Sequence, residues 1–182
     1  MKIALAQMNV VAGNPRKNVE RMLSFIQEAK DKGADVVAFN EMAVGGYFIG
    51  DEYNNESFCK ELMSYNKVLK DASQDIVLIY GNIFYRDGVC TKNKDGRIRK
   101  HNSAYVYQNG RCMGIFHKSL LPCYRIFDDP RYFTSTPDVA FEEGIQREDG
   151  LIDWYMPVRV KIGRRNYNIL WITRPRYVLI KV

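Results

Sequence analysis

Two residues of complementary chemistry stand where an apolar run gives way to a loop. Glu41 closes Asp35-Val36-Val37-Ala38-Phe39-Asn40, and Lys118 follows the run 111–117 and opens Lys118-Ser119-Leu120-Leu121-Pro122-Cys123. A partly buried carboxylate can take a proton from a nucleophile. An ammonium beside it favours an anionic nucleophile and stabilises a developing oxyanion. Strand ends suit both, because a rigid sheet fixes their separation. The natural third member is a cysteine thiol, which reacts well only when ionised. No cysteine follows Cys123. Cys123 lies in the turn after Lys118, and Ser119 and Thr173 are weaker hydroxyl alternatives. His117 precedes Lys118 on an expected strand, so their side chains face opposite sides, and His117 reads as packed or superficial. Asp128-Asp129 reads as a solvated acidic turn rather than a cation site. Tyr47, Tyr124, Phe127 and Tyr132 are placed to wall a pocket or to pack in a core, and both readings stand at this stage.

The elements that must position these residues are legible from periodicity. Residues 2–8 read as a buried strand. Asn14-Pro15 is an N-cap and first-turn pair. Val19, Met22, Leu23, Ile26 and Ala29 then recur at helical spacing, predicting a helix over 16–32 that Gly33 ends. The continuous apolar run 36–39 suits a strand buried on both faces. A second helix is expected over 56–70, with Phe58, Leu62, Tyr65 and Leu69 on one side, and a strand over 75–80. This alternation says α/β. Then turn signals crowd together at Asp87-Gly88, Asp95-Gly96 and Asn109-Gly110, so antiparallel strands join the sheet. The last turn sits between strands expected over 103–108 and 111–117. A further hairpin is expected over 158–162 and 167–172.

The 182 residues are 46% hydrophobic, enough for one globular domain with its own core. No apolar run reaches membrane length. The start, Met1 to Met8, is too short for a signal peptide, so a cytoplasmic location is expected. The four cysteines show neither metal-ligand spacing nor a disulfide framework, and no cofactor or metal is expected. The net charge of +6 is spread over Arg97, Arg99, Lys100, Arg164, Arg165, Arg174 and Arg176. It reads as a solvated basic surface, and nucleic acid is the least expected partner.

Four segments in order, Lys2-Ile3-Ala4-Leu5-Ala6-Gln7-Met8, Ala34-Asp35-Val36-Val37-Ala38-Phe39-Asn40-Glu41, Asn102-Ser103-Ala104 and Lys118-Ser119-Leu120-Leu121-Pro122, resemble the nitrilase, or carbon–nitrogen hydrolase, superfamily. Gly46-Tyr47-Phe48-Ile49-Gly50-Asp51 and the stretch 121–133 are similar to its glutaminase branch, the ammonia-supplying domain of glutamine-dependent NAD synthetases. The resemblance implies a partial αββα sandwich with a mixed sheet. It implies Glu41 as general base and Lys118 as oxyanion stabiliser; Tyr47, Tyr124 and Phe127 are the substrate-binding candidates among the aromatic residues. It also implies glutamine or another small amide as substrate, and self-association. Asn40 replaces the usual proline before the glutamate. The family cysteine is expected near Thr173, where this chain reads Ile172-Thr173-Arg174-Pro175-Arg176. The family-like domain is therefore taken as 1–169 and a divergent tail as 170–182, as a truncated or frame-shifted reading would produce. The chain is then expected to be inactive in amide hydrolysis. The alternatives are a non-catalytic interaction or assembly module of this fold, or another small-amide amidase of the superfamily.

Overall fold

The computed structural model describes residues 1–85, 92–93, 95–135, 158–174 and 177–181, with backbone alone at Val158 and from Ile169 on. The alternating first half builds a strand-and-helix layer: β1 (Ile3–Ala6), α1 (Pro15–Asp31), β2 (Val36–Phe39), α2 (Glu56–Ala72) and β3 (Val77–Phe84). β1, β2 and β3 pair in parallel. The chain then turns antiparallel through β4 (His101–Gln108) and β5 (Arg111–His117), giving one sheet in the order β1-β2-β3-β4-β5.

Local chemistry explains the borders. Asn14 Oδ1 accepts the Lys17 N–H at 3.1 Å, and Pro15 occupies the first turn; such a cap is worth about 1 kcal/mol. Gly33 leaves α1 at φ +66°, a conformation costly for residues with a Cβ. At Asn109-Gly110 both φ angles are positive, +50° and +68°, as the hairpin twist demands. The expected turn at Asp87-Gly88 lies outside the described residues. The expected strand over 75–80 starts later and runs further, because Asp75 turns at φ +60° while Gly81 and Asn82 stay paired to Ala104 and Ser103.

A second sheet follows: β6 (Val158–Ile162), β7 (Arg165–Arg174) and β8 (Tyr177–Lys181), all antiparallel. β7 runs unbroken through residues 169 and 170, and the tail returns on it as β8. One face of the first sheet packs under α1 and α2, with Val37, Phe39, Leu78, Tyr80 and Tyr105 in the core. Its other face carries Val36, Ala38, Val77, Ile79 and Val106, which meet Val160 of β6. Gln108 clasps the backbone of Lys161, accepting its N–H at 3.2 Å and donating to its carbonyl.

One expectation is corrected at the sheet edge. β1 is not a fully buried strand over 2–8: it spans four residues, and Leu5 is 77% exposed. Among the described residues β1 pairs on one side alone, with β2, and Ile3 and Leu5 point to the face that β6 covers further along the sheet.

Gly81 deserves its type for a steric reason. A Cβ there would lie 2.3 Å from Met42 N and 2.9 Å from the Glu41 backbone. The Glu41-Met42 bend thus rests directly on the β3 backbone. Gly81→Ala should destabilise the fold by about 1–3 kcal/mol, as overpacking does, and displace Glu41. Urea unfolding measures the first effect, and an unchanged midpoint would contradict the close packing.

Candidate functional site

Glu41 stands two residues beyond the end of β2. Asn40 anchors the bend, accepting the Met8 N–H on its side chain at 3.3 Å and the Gly81 N–H on its carbonyl at 3.3 Å. Met42 follows with φ +50° and is fully buried. A non-glycine residue held in the left-handed region must be locked by its surroundings; Gly46 N–H on the Met42 carbonyl at 2.8 Å supplies part of that lock.

Lys118 leaves β5 with its N–H bonded to the Asn102 carbonyl at 2.8 Å. Its Nζ lies 2.7 Å from Glu41 Oε1 and 2.9 Å from Asp129 Oδ2. The structure therefore brings together two residues 77 positions apart in sequence. Asn102 Nδ2 donates to the same Glu41 Oε1 at 2.6 Å. Glu41 Oε2 has no hydrogen-bond partner among the described residues. The Glu41 side chain is 31% exposed, against 11% for Lys118 and 4% for Asp129, so Glu41 is the most accessible of the three.

Asp129 corrects the sequence reading. It is no solvated turn: it is buried at the start of the short helix α3 (Asp129–Tyr132). Tyr47 O–H donates to its Oδ1 while Lys118 holds Oδ2. Asp128 remains exposed, as expected. An acidic pair inside a loop gives no hint of which member is buried. The signal available was its distance from Lys118, since the turn Leu121-Pro122 sends the chain back and Asp129 N–H bonds the Pro122 carbonyl at 3.0 Å. Asn102 was visible as part of a motif, but its bond to Glu41 was not.

The aromatic residues fall at graded distances. The Tyr47 ring lies 5.3 Å from Lys118 Nζ, close enough for a cation–π contact. Phe127 meets Tyr47 edge-on at 6.0 Å, and Tyr124 meets Phe127 at 5.4 Å while 42% exposed. Phe48 closes the group at 4.9 Å from Tyr47. Cys123 is exposed in the turn, Ser119 points back to the His117 carbonyl at 3.5 Å, and the side chain of Thr173 lies outside the described residues.

The electrostatics favour a permanent cation. Burial alone pushes the Lys118 ammonium down, but Glu41 and then Asp129 outweigh it, and the pKa ends above that of an ordinary lysine. Tyr47 is pushed far up, by burial first and by Asp129 second, so its hydroxyl keeps its proton and remains a donor. Among the described residues, no group of three His, Cys, Asp or Glu side chains could hold a metal. No helix among them is long and apolar enough to cross a membrane.

A second cluster lies behind the site, on the opposite face of the sheet. His117 packs on His101 at 4.4 Å and accepts the Ser103 hydroxyl proton at 2.8 Å, as the neutral tautomer with Nδ1 unprotonated allows. His101 Nδ1 lies 2.6 Å from the Thr134 carbonyl, and Thr134 N–H bonds the Lys100 carbonyl at 2.8 Å. These bonds tie the segment just after α3 to the start of β4.

The carbon–nitrogen hydrolase family profile matches residues 2–164. The chain belongs to the carbon–nitrogen hydrolase family. Its relatives include the glutamine-dependent NAD(+) synthetase of Acinetobacter baylyi, 34% identical over 133 residues, a match covering 73% of this chain and 23% of that protein. The corresponding enzyme of Synechocystis is 32% identical, with 73% and 24% covered. The chain thus spans about a quarter of the length of these curated relatives. Among solved structures, glutamine-dependent NAD+ synthetase from Acinetobacter baumannii superposes with a TM-score of 0.62 at 25% identity, over 91% of this chain and 26% of that one. An amidase from Nesterenkonia sp. superposes with a TM-score of 0.65 over 92% of this chain and 54% of that one; at 16% identity it attests the fold alone.

Two measurements test this ion cluster and the histidine layer behind it. Replacing Lys118 by Met leaves two carboxylates facing each other, one of them buried. Breaking a buried pair this way costs about 3–5 kcal/mol, and adding Asp129→Asn should recover much of it. Equal losses in the single and double variants, read by urea unfolding, would contradict the coupling. The second test is a pH titration. Burial, then the neighbouring His101, depress His117 to about 3, whereas a free imidazole titrates near 6.5. Below that value the unfolded chain binds a proton that the folded one refuses. Stability should hold above neutral pH and fall between about pH 6.5 and 3, by at most about 1.4 kcal/mol per pH unit. His117→Gln should flatten that slope.

Proposed function

We propose that the cluster of Glu41, Lys118, Asp129, Tyr47 and Asn102 is a small-amide site of the glutaminase type, and that glutamine is its ligand. The carrying observation is the 2.7 Å approach of Lys118 Nζ to Glu41. In this reading Glu41, through Oε2, is the proton acceptor that faces a bound amide. Lys118 provides the positive charge for an oxyanion on the amide carbonyl. Asp129 and Asn102 are positioning residues: the first holds Lys118 from behind, the second fixes the Glu41 carboxylate. Tyr47 holds Asp129 and, with Phe127 and then Tyr124, walls the approach.

Full hydrolysis needs a thiolate to attack the carbonyl, expel ammonia and leave a thioester for water to clear. This sequence has no cysteine after Cys123, and Cys123 is exposed in the turn. The chain is therefore proposed to bind the amide without turning it over. Loss of a covalent nucleophile typically removes most of the rate.

Two readouts test the proposal together. Ammonia release from glutamine should match that of Glu41→Ala. Glutamine should nevertheless raise the melting temperature of the wild-type chain, as any ligand of the native state does, and fail to do so in Glu41→Ala and Lys118→Met. No shift in the wild type would overturn the binding reading. Ammonia release that disappears in Cys123→Ala would show that the exposed thiol is the nucleophile after all.

A further inference from the structure

The loop between Lys118 and Asp129 carries two charges that the fold does not use. Its ten residues, 119–128, hold one cation, Arg125, and one anion, Asp128. Both are exposed. Neither forms an ion pair or a side-chain hydrogen bond among the described residues. Asp128 stands at the N-cap of α3, yet its side chain caps nothing. The other cations around α3 are engaged: Arg131 holds Asp51, and Arg97 holds Asp95 and the Pro130 carbonyl. Arg125 also sits in a conformation that its side chain opposes. The Tyr124 carbonyl accepts the Phe127 N–H at 3.0 Å, closing a turn whose first central residue is Arg125, at φ +56°. Glycine suits such a position, and a Cβ is strained there. Asp75 and Asn109 share the conformation but are of types that tolerate it. Met42 shares it while buried beside Glu41. Arg125 has neither reason, and residues strained in this way cluster at ligand sites.

The turn places these charges beside the ion cluster. Phe127 lies between them in sequence and meets Tyr47 at 6.0 Å, and the Tyr47 ring lies 5.3 Å from Lys118 Nζ. Tyr124, which precedes Arg125, meets Phe127 at 5.4 Å and is 42% exposed. Arg125 and Asp128 therefore flank the ring next to Tyr47, at the outer end of the aromatic row. Glutamine ends in a carboxylate and an ammonium on one carbon, three carbon–carbon bonds from its side-chain amide. A guanidinium pairs with a carboxylate bidentately, and the Asp128 carboxylate is the matching partner for an ammonium. Two free charges of opposite sign suit a zwitterion, and a simple aliphatic amide would use neither. We propose that Arg125 and Asp128 are specificity residues that read the α-carboxylate and α-ammonium of an amino-acid amide, so that the site takes glutamine over amides without that head group. The proposal rests on the amide reading of the Glu41–Lys118 cluster and adds the residues that choose among amides.

The test is isothermal titration calorimetry of the full chain with three ligands: L-glutamine, glutaramate, which lacks the ammonium, and butyramide, which lacks both charges. Wild type should bind glutamine most tightly and butyramide least. Arg125→Gly removes the guanidinium and the backbone strain together, so its melting temperature should not fall. It should weaken glutamine and glutaramate by about ten-fold, as loss of a charged hydrogen-bond partner does, and leave butyramide unchanged. Asp128→Asn should weaken glutamine and spare glutaramate, a difference that a loosened loop would not produce. If wild type binds none of the three ligands, the amide reading fails and this proposal falls with it. If wild type binds glutamine and Arg125→Gly binds it equally well, the amide reading stands and the specificity proposal alone is overturned. Butyramide binding as tightly as glutamine in the wild type would overturn it in the same way.

Discussion

The site rests on one arrangement, a single ammonium set between two carboxylates from different loops. Glu41 arrives from the end of β2, Lys118 from the end of β5 and Asp129 from the loop that returns after Pro122. Isolated burial of any of the three would cost several kcal/mol. Together they compensate one another only if each loop is held to a few tenths of an ångström. The surrounding features read as the means of holding them. Gly81 lets the Glu41 bend touch β3, Asn40 pins that bend to Met8 just after β1, and Asn102 bonds both the Lys118 backbone and the Glu41 side chain. Tyr47 fills the remaining oxygen of Asp129.

That arrangement also explains the neighbouring polar layer. A loop that must hold Asp129 in place cannot be left to its own preferences, and α3 is a single turn. Arg97 reaches the Pro130 carbonyl at 3.0 Å, Asp51 takes Arg131 at 2.8 Å, and Thr134 is bonded to Lys100 and His101. The exposed pair with Asp51 contributes little by itself. The contacts matter as a set, because they remove freedom from a short segment whose one buried acid must meet Lys118.

How much was legible in the sequence follows from the kind of signal each feature leaves. Helix α1 was readable to within a residue at each end, because a cap, a proline, a stripe and a glycine all agreed. Glu41 and Lys118 were readable because each closes an apolar run. Asp129 was not, since burial of a loop carboxylate is decided by a partner elsewhere in the chain and leaves no periodic trace. β1 was overcalled as buried for the complementary reason. An apolar strand looks the same whether its inner face is covered or lies beyond the reach of β6, and Leu5 is on the uncovered part.

The proposed amide site has a division of labour built into the fold. Glu41, Lys118, Asp129, Asn102 and Tyr47 all come from the first sheet and its loops, and their mutual bonds close without any residue of β7. The family resemblance places the nucleophile near Thr173, towards the end of β7 in the other sheet, where the backbone pairs with Val178 of β8. In that reading, a change at residue 173 removes the expected attacking group and leaves the bonds among these five residues as they are. The reverse does not hold: losing Lys118 would leave Asp129 buried beside a second carboxylate. This asymmetry gives a physical reason for Glu41, Lys118 and Asp129 to persist as a unit in a chain that has no cysteine after Cys123.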